Sequence, residues 1–468
     1  MERLFFLWIE LTICIAFQVV LLLALSVIFN VTKGGGREGC CNYKRGLNPR
    51  PHSVSILEFG AVGDGKILNT LAFQNAIFYL KSFADKGGAQ LYVPRGRWLT
   101  GSFNLTSHLT LFLDRDAIIL GSQESSQWPV IEPLPSYGRG IDLFDGRHRS
   151  LINGYNLTDV VITGEYGTID GQGAIWWDWL KSHSLNASRP HLVELTSSTD
   201  VVISNLTLLN SPGWSIHPVY SSDVQIQNIT IRAPPDSPFT NGVVPDSCSE
   251  VCIEDCNISV GWDAIALKSG WDEYGIAYGQ PTSSVHINGV SLQTHLGSAL
   301  SLGSAMSGGI SDIHAEHIHI HDSTTAIAIK TTSGRGGYIK NIIISDIRME
   351  NVHTAFYFTG QYGGHPDDHF DPNAFPVIEQ ITLKDVVGTN ITFAGNLSGI
   401  SESPFTSICL SDISLSVVSK PSDSWFCSNV LGSSKSVSPD PCPDLQNWDS
   451  SSSSCFSPFQ TFGDSEAL

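Results

Sequence analysis

Val201-Val202-Ile203-Ser204-Asn205 returns as Val224-Gln225-Ile226-Gln227-Asn228 and again as Val251-Cys252-Ile253-Glu254-Asp255. Each copy has apolar side chains at its first and third positions and a turn-forming residue at its fifth. Alternation with a period of two marks a strand with one buried face. Asn, Asp or Gly at the fifth position tolerates the backbone of a sharp bend. The pattern recurs at 160–164, 285–289, 313–317, 342–346, 381–385 and 408–412, and only the copy ending at His317 lacks a bend residue. Intervals between third positions run from 23 residues (Ile203 to Ile226) to 41 (Ile162 to Ile203). Strand, bend and strand at such irregular spacing imply stacked coils with loops of varying length bulging out. A leucine-rich repeat would need a fixed leucine spacing that is missing. The expected fold class is all-β, a parallel β-helix solenoid.

Solenoid ends must be covered. Leu71, Phe73, Ala76, Ile77, Leu80 and Phe83 recur at helical spacing, so an N-terminal capping helix is expected over 70–84. At the other end, residues 431–468 read as a Ser- and Cys-rich tail. Cys409, Cys427, Cys442 and Cys455 are expected to form disulfides there, with the pairing open. Residues 11–29 are nearly all apolar, long enough to span a bilayer. Residues 1–30 are expected to be a signal-anchor or a signal peptide. The uncleaved anchor is favoured because no small-x-small cleavage site is visible. A linker over 31–53 and the β-helix domain over 54–430 complete the layout.

Lys33, Arg37, Lys44 and Arg45 follow the apolar run and would by themselves put that side in the cytosol. Nine Asn-x-Ser/Thr sequons overrule them, beginning at Asn30, Asn104, Asn156, Asn186, Asn205, Asn228, Asn257, Asn390 and Asn396. The chain is therefore expected in the secretory pathway, with its β-helix lumenal or extracellular and membrane contact only through the N-terminal segment. The formal charge of −19 disfavours nucleic acid and anionic membranes. An acidic ligand would need a local basic cluster. A monomer without cofactor or metal is expected. Cys248, Cys252 and Cys256 lack a Cys-x2-Cys pair. The run His314, His317, His319 and His321 reads as solvated histidines, because a bend at His317 would break a shared face.

Four longer stretches carry a family resemblance. They are Phe59-Gly60-Ala61-Val62-Gly63-Asp64-Gly65; Gly167-Thr168-Ile169-Asp170-Gly171-Gln172-Gly173 with Trp176-Trp177; Asn210-Ser211-Pro212-Gly213-Trp214 with His217-Pro218-Val219; and Ser333-Gly334-Arg335-Gly336-Gly337. Together they resemble the plant-type polygalacturonase family, glycoside hydrolase family 28, from about Val54 to about Val430. The resemblance implies a right-handed parallel β-helix, an inverting glycosidase chemistry on pectin, and homogalacturonan of the cell wall as the acidic partner.

Inversion needs one carboxylic acid on the leaving oxygen and carboxylate help for an attacking water. On the family's pattern those groups fall at Asn241, Trp262 and Asp263, so only Asp263 keeps its carboxyl. Asn241 cannot ionise, Trp262 cannot serve as the acid, and Val244 replaces a further Asp; Asp246 lies nearby. The 22 residues from Asn241 to Asp263 amount to one coil. Ser298 stands at the family's histidine and Ala328 at its sugar-gripping arginine, while Lys330 keeps the lysine. Lys330, Lys268 and Arg335 form the local basic cluster expected to bind substrate, and Trp262 is filler or a sugar-stacking platform. Two readings stay open: a weak hydrolase using Asp263 with Asp246 or the Asp272–Glu273 pair, or a non-catalytic pectin-binding wall protein. A calcium-dependent lyase on the same architecture is disfavoured by these motifs.

Overall fold

A computed structural model of the chain describes residues 49–139, 146–418 and 424–446. The expected signal-anchor, most of the linker, Cys14, Cys40, Cys41, Cys455 and the end of the tail lie outside the described residues. No helix among the described residues is long and apolar enough to cross a membrane.

The architecture is a right-handed parallel β-helix. Ile162, Ile203, Ile226, Ile253, Ile287, Ala315, Ile344, Leu383 and Leu410 pair rung to rung along one face. None is more than 1% exposed. Burial of this ladder against the other faces is the main driving term, since each inward side chain leaves water completely. The same ladder reaches back through Leu111, Leu91 and Val54 and forward to Ser434.

The bends follow the fifth positions. Asn205, Asn228, Asp255, Gly289, Asp346, Asp385 and Asp412 are left-handed, with φ between 50° and 65°. His317 takes the same conformation at φ 54° without a typical bend side chain. In the first copy the corner falls at Tyr166 (φ 62°) instead of Gly164. A second left-handed corner precedes each repeat, at Asp159, Asp200, Asp223, Glu250, Ser284, Asp312, Asn341, Gln380 and Ser407. These paired corners flatten the coil into faces.

A further face positions the site. Strands Ile152–Tyr155, Val193–Thr196 and Ile216–Val219 pair in parallel. Bridges carry the face on from Ile216 to Val243 to Ile265 and from Val219 to Asp246 to Lys268. Ile265–Leu267, Ser298–Gly303 and the end of Ile310–Lys330 continue it. Two insertions flank it: the helix Asp272–Tyr278 and the loop 360–376.

The cap forms over Thr70–Leu80, and Phe73, Ala76, Ile77 and Leu80 are buried. Phe73 stacks on Phe103 with centroids 4.5 Å apart. Leu71, expected on the buried face, is 67% exposed. At the C-terminal end strand Val430–Ser438 pairs with Phe405–Val417, so the coils run past the expected boundary at 430. Its serines hide it in the sequence: the ladder partner of Leu410 is Ser434, not an apolar residue. Cys427 bonds Cys442, and Cys252 and Cys409 each take part in a disulfide of their own. Cys248 and Cys256 are free and buried, with thiols pushed up to about 12 by burial. None of the eight described sequon asparagines is buried.

Candidate functional site

Two segments enter the bridging face one coil apart, and their ends meet. The Gly242 N–H donates to the Asp263 carbonyl at 3.0 Å, and the Asp263 N–H donates to Asn241 Oδ1 at 3.2 Å. Close stacking here demands glycine. A Cβ on Gly242 would sit 2.3 Å from the Ala264 carbonyl oxygen, and one on Gly297 would sit 2.4 Å from the Trp262 carbonyl carbon. The Thr294 hydroxyl donates to the Trp262 carbonyl and fixes that turn.

The result is a cleft of about 170 Å³. Asn241, Asp263, Lys268 and Lys330 line it, with Trp214, Phe239, Trp262 and Tyr362 as aromatic walls. Lys330 ends its strand opposite Gly303 and donates to both Asp263 oxygens, at 2.8 and 2.9 Å. The Ser298 N–H donates to Asp263 Oδ1 at 2.8 Å. Both charged partners are at least 95% covered, at 5% and 4% side-chain exposure. Lys268 Nζ donates to the Gly303 carbonyl at 3.4 Å and lies 5.6 Å from the centre of the Trp214 ring. Burial lowers the Lys268 pKa, an effect opposed by Asp263 and reinforced by Lys330. The Tyr362 ring lies 5.3 Å from Lys330 Nζ, and burial pushes its hydroxyl up to about 12. Trp262 and Phe239 pack at 4.7 Å, and Phe239 is 51% exposed at the rim.

Asp246 and Arg335 are not in the cleft. Asp246 is fully buried; Tyr137 Oη donates to its Oδ2 at 2.6 Å, and His217 Nε2 lies 3.4 Å from the same oxygen. Its Oδ1 has no hydrogen-bond partner among the described residues. His217 Nδ1 lies 3.2 Å from Glu194 Oε2, and Arg147 Nη1 donates to both Glu194 oxygens at 2.9 and 2.7 Å. Burial alone would lower the His217 pKa, but Asp246 and Glu194 raise it. Burial would raise the Glu194 pKa, but Arg147 and His217 hold it far down. His191, stacked on Trp214 at 4.6 Å, is kept well below the usual imidazole value by burial.

Arg335 is expected as a substrate contact, and its burial corrects that. Its guanidinium is fully covered, 2.5 Å from Asp272 Oδ1, and it stacks 5.0 Å from the Trp271 ring centre. His365 Nδ1 lies 2.6 Å from the other Asp272 oxygen. Asp272 is thus consumed by two partners and is no alternative acid. Arg335 and His365 instead anchor the 360–376 loop that carries Tyr362. Sequence reasoning missed Tyr362 and the Arg147–Glu194 pair as site elements, because loops and buried pairs distant in sequence leave no periodic signal; Trp214 lay in the family-like stretch 210–214 but was not singled out as a wall of the cleft.

A larger hollow of about 370 Å³ lies elsewhere, along Asp322, Asn351 and Asn390. There Asn390 donates to Asn351 at 2.8 Å and Asn351 to Asp322 at 2.9 Å, so those groups already satisfy one another.

The family model described as Glycosyl hydrolases family 28 matches residues 89–438. A probable polygalacturonase of Vitis vinifera is 52% identical over 435 residues, covering 92% of this chain and 88% of that protein. An exopolygalacturonase of Zea mays is 24% identical, over 82% of this chain and 88% of its own. Among solved structures, the hyperthermoactive exopolygalacturonase from Thermotoga maritima superposes with a TM-score of 0.69 at 25% identity, covering 83% of this chain and 88% of that chain.

Proposed function

The chain belongs to glycosyl hydrolase family 28, and on that premise we propose that its cleft binds acidic galacturonan of pectin while hydrolysing it negligibly. The observation that carries this reading is the state of Asp263. Among the residues lining the cleft it is the one carboxyl, and it already accepts from Lys330 and from the Ser298 N–H.

An inverting glycosidase holds two carboxyl groups about 6.5–9.5 Å apart, one as acid and one as base. Here an amide at Asn241 and an indole at Trp262 occupy the neighbouring positions. Neither can take up and release a proton in the working pH range. General acid and general base each contribute typically 10²- to 10⁴-fold, so loss of both costs on the order of 10⁴-fold or more. Binding is another matter. Lys268 and Lys330 supply positive charge, and aromatic faces of Trp214, Trp262 and Tyr362 suit the apolar faces of sugar rings. The ligand is a wall polysaccharide, and the place of action is the secretory pathway or cell wall. The disulfides and unburied sequons support an oxidising compartment.

The test is a reducing-end assay on polygalacturonate with purified protein, beside a titration with oligogalacturonides and a neutral oligosaccharide control. Saturable binding of the acidic ligand with negligible turnover is expected. Robust turnover that Asp263→Ala abolishes would overturn the reading.

A further inference from the structure

On the nine-rung face, away from the cleft, a second set of side chains converges. His286 and His314 are partners on neighbouring rungs. Glu316 lies two residues beyond His314, so strand alternation returns it to the same side. His286 Nε2 is 3.4 Å from Glu316 Oε1, and His314 Nε2 is 3.8 Å from Glu316 Oε2. The two imidazole rings are 5.2 Å apart, and the three donor atoms all lie within 4.8 Å of one another. His286 and Glu316 are largely covered, at 4% and 14% side-chain exposure, while His314 is open at 41%.

We propose that His286, His314 and Glu316 bind one first-row divalent transition-metal ion, zinc(II) in particular, clasping two adjacent coils. Zinc bonds to imidazole nitrogen and carboxylate oxygen are about 2.0–2.2 Å, which at tetrahedral angles sets donors roughly 3.4 Å apart. One pair already has that separation, and small side-chain rotations close the others. Two imidazoles select zinc, copper or nickel over calcium or magnesium, which prefer all-oxygen sets. Three protein ligands leave a fourth position for water. Cys252, the rung partner of His286, is disulfide-bonded and offers no thiolate.

The neighbouring histidines provide an internal control. His317, His319 and His321 each face a separate carboxylate, on Asp346, Glu350 and Asp322. No group of three donors that includes them converges among the described residues. The site thus revises the expectation of solvated histidines for His314 alone. The sequence run pointed along one strand, whereas the convergence runs across rungs.

The experiment uses the full chain, stripped with chelator, dialysed and titrated with zinc(II) by calorimetry, with cobalt(II) absorption as a second readout. One equivalent should bind the wild type, give a tetrahedral-type cobalt spectrum and raise the melting temperature. His314→Ala and Glu316→Gln, both partly open positions, should each weaken zinc binding at least tenfold and lose the melting shift. His286→Ala should do the same if circular dichroism shows it folded. The pair His319→Ala/His321→Ala should bind as the wild type does. An inert wild type would mean that the cluster is only an ion-paired histidine pair. Unchanged affinity in folded His314→Ala and Glu316→Gln would place any bound zinc elsewhere. Either result overturns the site.

Discussion

Lys330 holds Asp263 with two of its three N–H bonds, leaving one for a ligand. Both partners are nearly covered, so removing one strands a charge. Lys330→Ala should cost about 3–5 kcal/mol of stability, read from urea midpoints, and should weaken oligogalacturonide binding at low salt. The double variant Lys330→Ala/Asp263→Ala should be more stable than the single one, because the orphaned carboxylate goes too; a double variant less stable than the single would refute this account. Trp262 and Asn241 carry the second prediction. Trp262→Asp returns an acid beside Asp263, and Asn241→Asp returns a base one coil away. Each alone should change turnover little, because acid and base serve the same transition state and such effects are not additive. Together they should raise reducing-end release by about 10²-fold or more. A folded double variant as inert as the parent would shift the blame to Val244, Ser298 and Ala328. Because Asn241 precedes Gly242, slow deamidation could supply Asp at 241 unaided, so fresh and aged wild type should be compared. Trp262 keeps both inactive.

At the scale of the elements, the buried chain Arg147–Glu194–His217–Asp246 ties several strands and loops together beneath the cleft. The His217 pKa is raised in the fold, so its stabilisation is complete below the unfolded value of about 6.5 and is lost as pH rises through the folded one. Glu194 is held far down, so its contribution is present above about 4.3 and fades only as pH falls towards its folded value. His191 is depressed and opposes acid, its neutral form being favoured in the fold. The stability difference between wild type and His217→Gln should therefore shrink as pH rises above about 6.5, followed by denaturant unfolding across pH. A difference that grows with alkalinity would contradict the assignment. Asp246 and His217 stood out in the sequence, but their linkage to each other and to Arg147 and Glu194 was not legible there, whereas the coils were. Every rung up to Leu410 carries an apolar inward residue, so Ile203, Ile226 and Ile253 announce themselves, whereas the last rung, with Ser434, does not. The fifth-position corners were legible because Asn and Asp adopt left-handed backbone readily. The preceding corners were less legible: Asp159, Asp200, Asp223, Asp312 and Asn341 share that chemistry, but Glu250, Ser284, Gln380 and Ser407 break the pattern. The offset from Asn241 to Asp263 was readable as one coil. Tyr362 was not, because an irregular loop delivers it, and Arg335 looked available because its sequence neighbours do not include Asp272.

The whole molecule carries a formal charge of −19, while its cleft offers two lysines. These fields act over different distances. Salt near 0.1 M limits the reach of exposed charges to about 10 Å, whereas the buried ammonium groups act on a ligand already in contact. A short oligogalacturonide that fits within the cleft senses chiefly Lys268 and Lys330, so its affinity should fall as salt rises. A long polygalacturonate extends past the cleft over a surface of its own sign and is repelled on approach. Added salt screens that repulsion before it weakens the local contacts, so the long polymer's association rate should rise with moderate salt. Dissociation should quicken for both. Surface-immobilised wild type exposed to a trimer and to a long polymer across a salt series separates the effects. Opposite salt trends, a falling affinity for the trimer and a rising on-rate for the polymer, are the expected outcome. If the polymer's on-rate falls with salt from the lowest concentration upward, the lysines steer the approach and the acidic exterior does not. Lys268→Ala should then abolish that slope. On the expected outcome it leaves the polymer's on-rate trend intact and speeds the dissociation of both ligands.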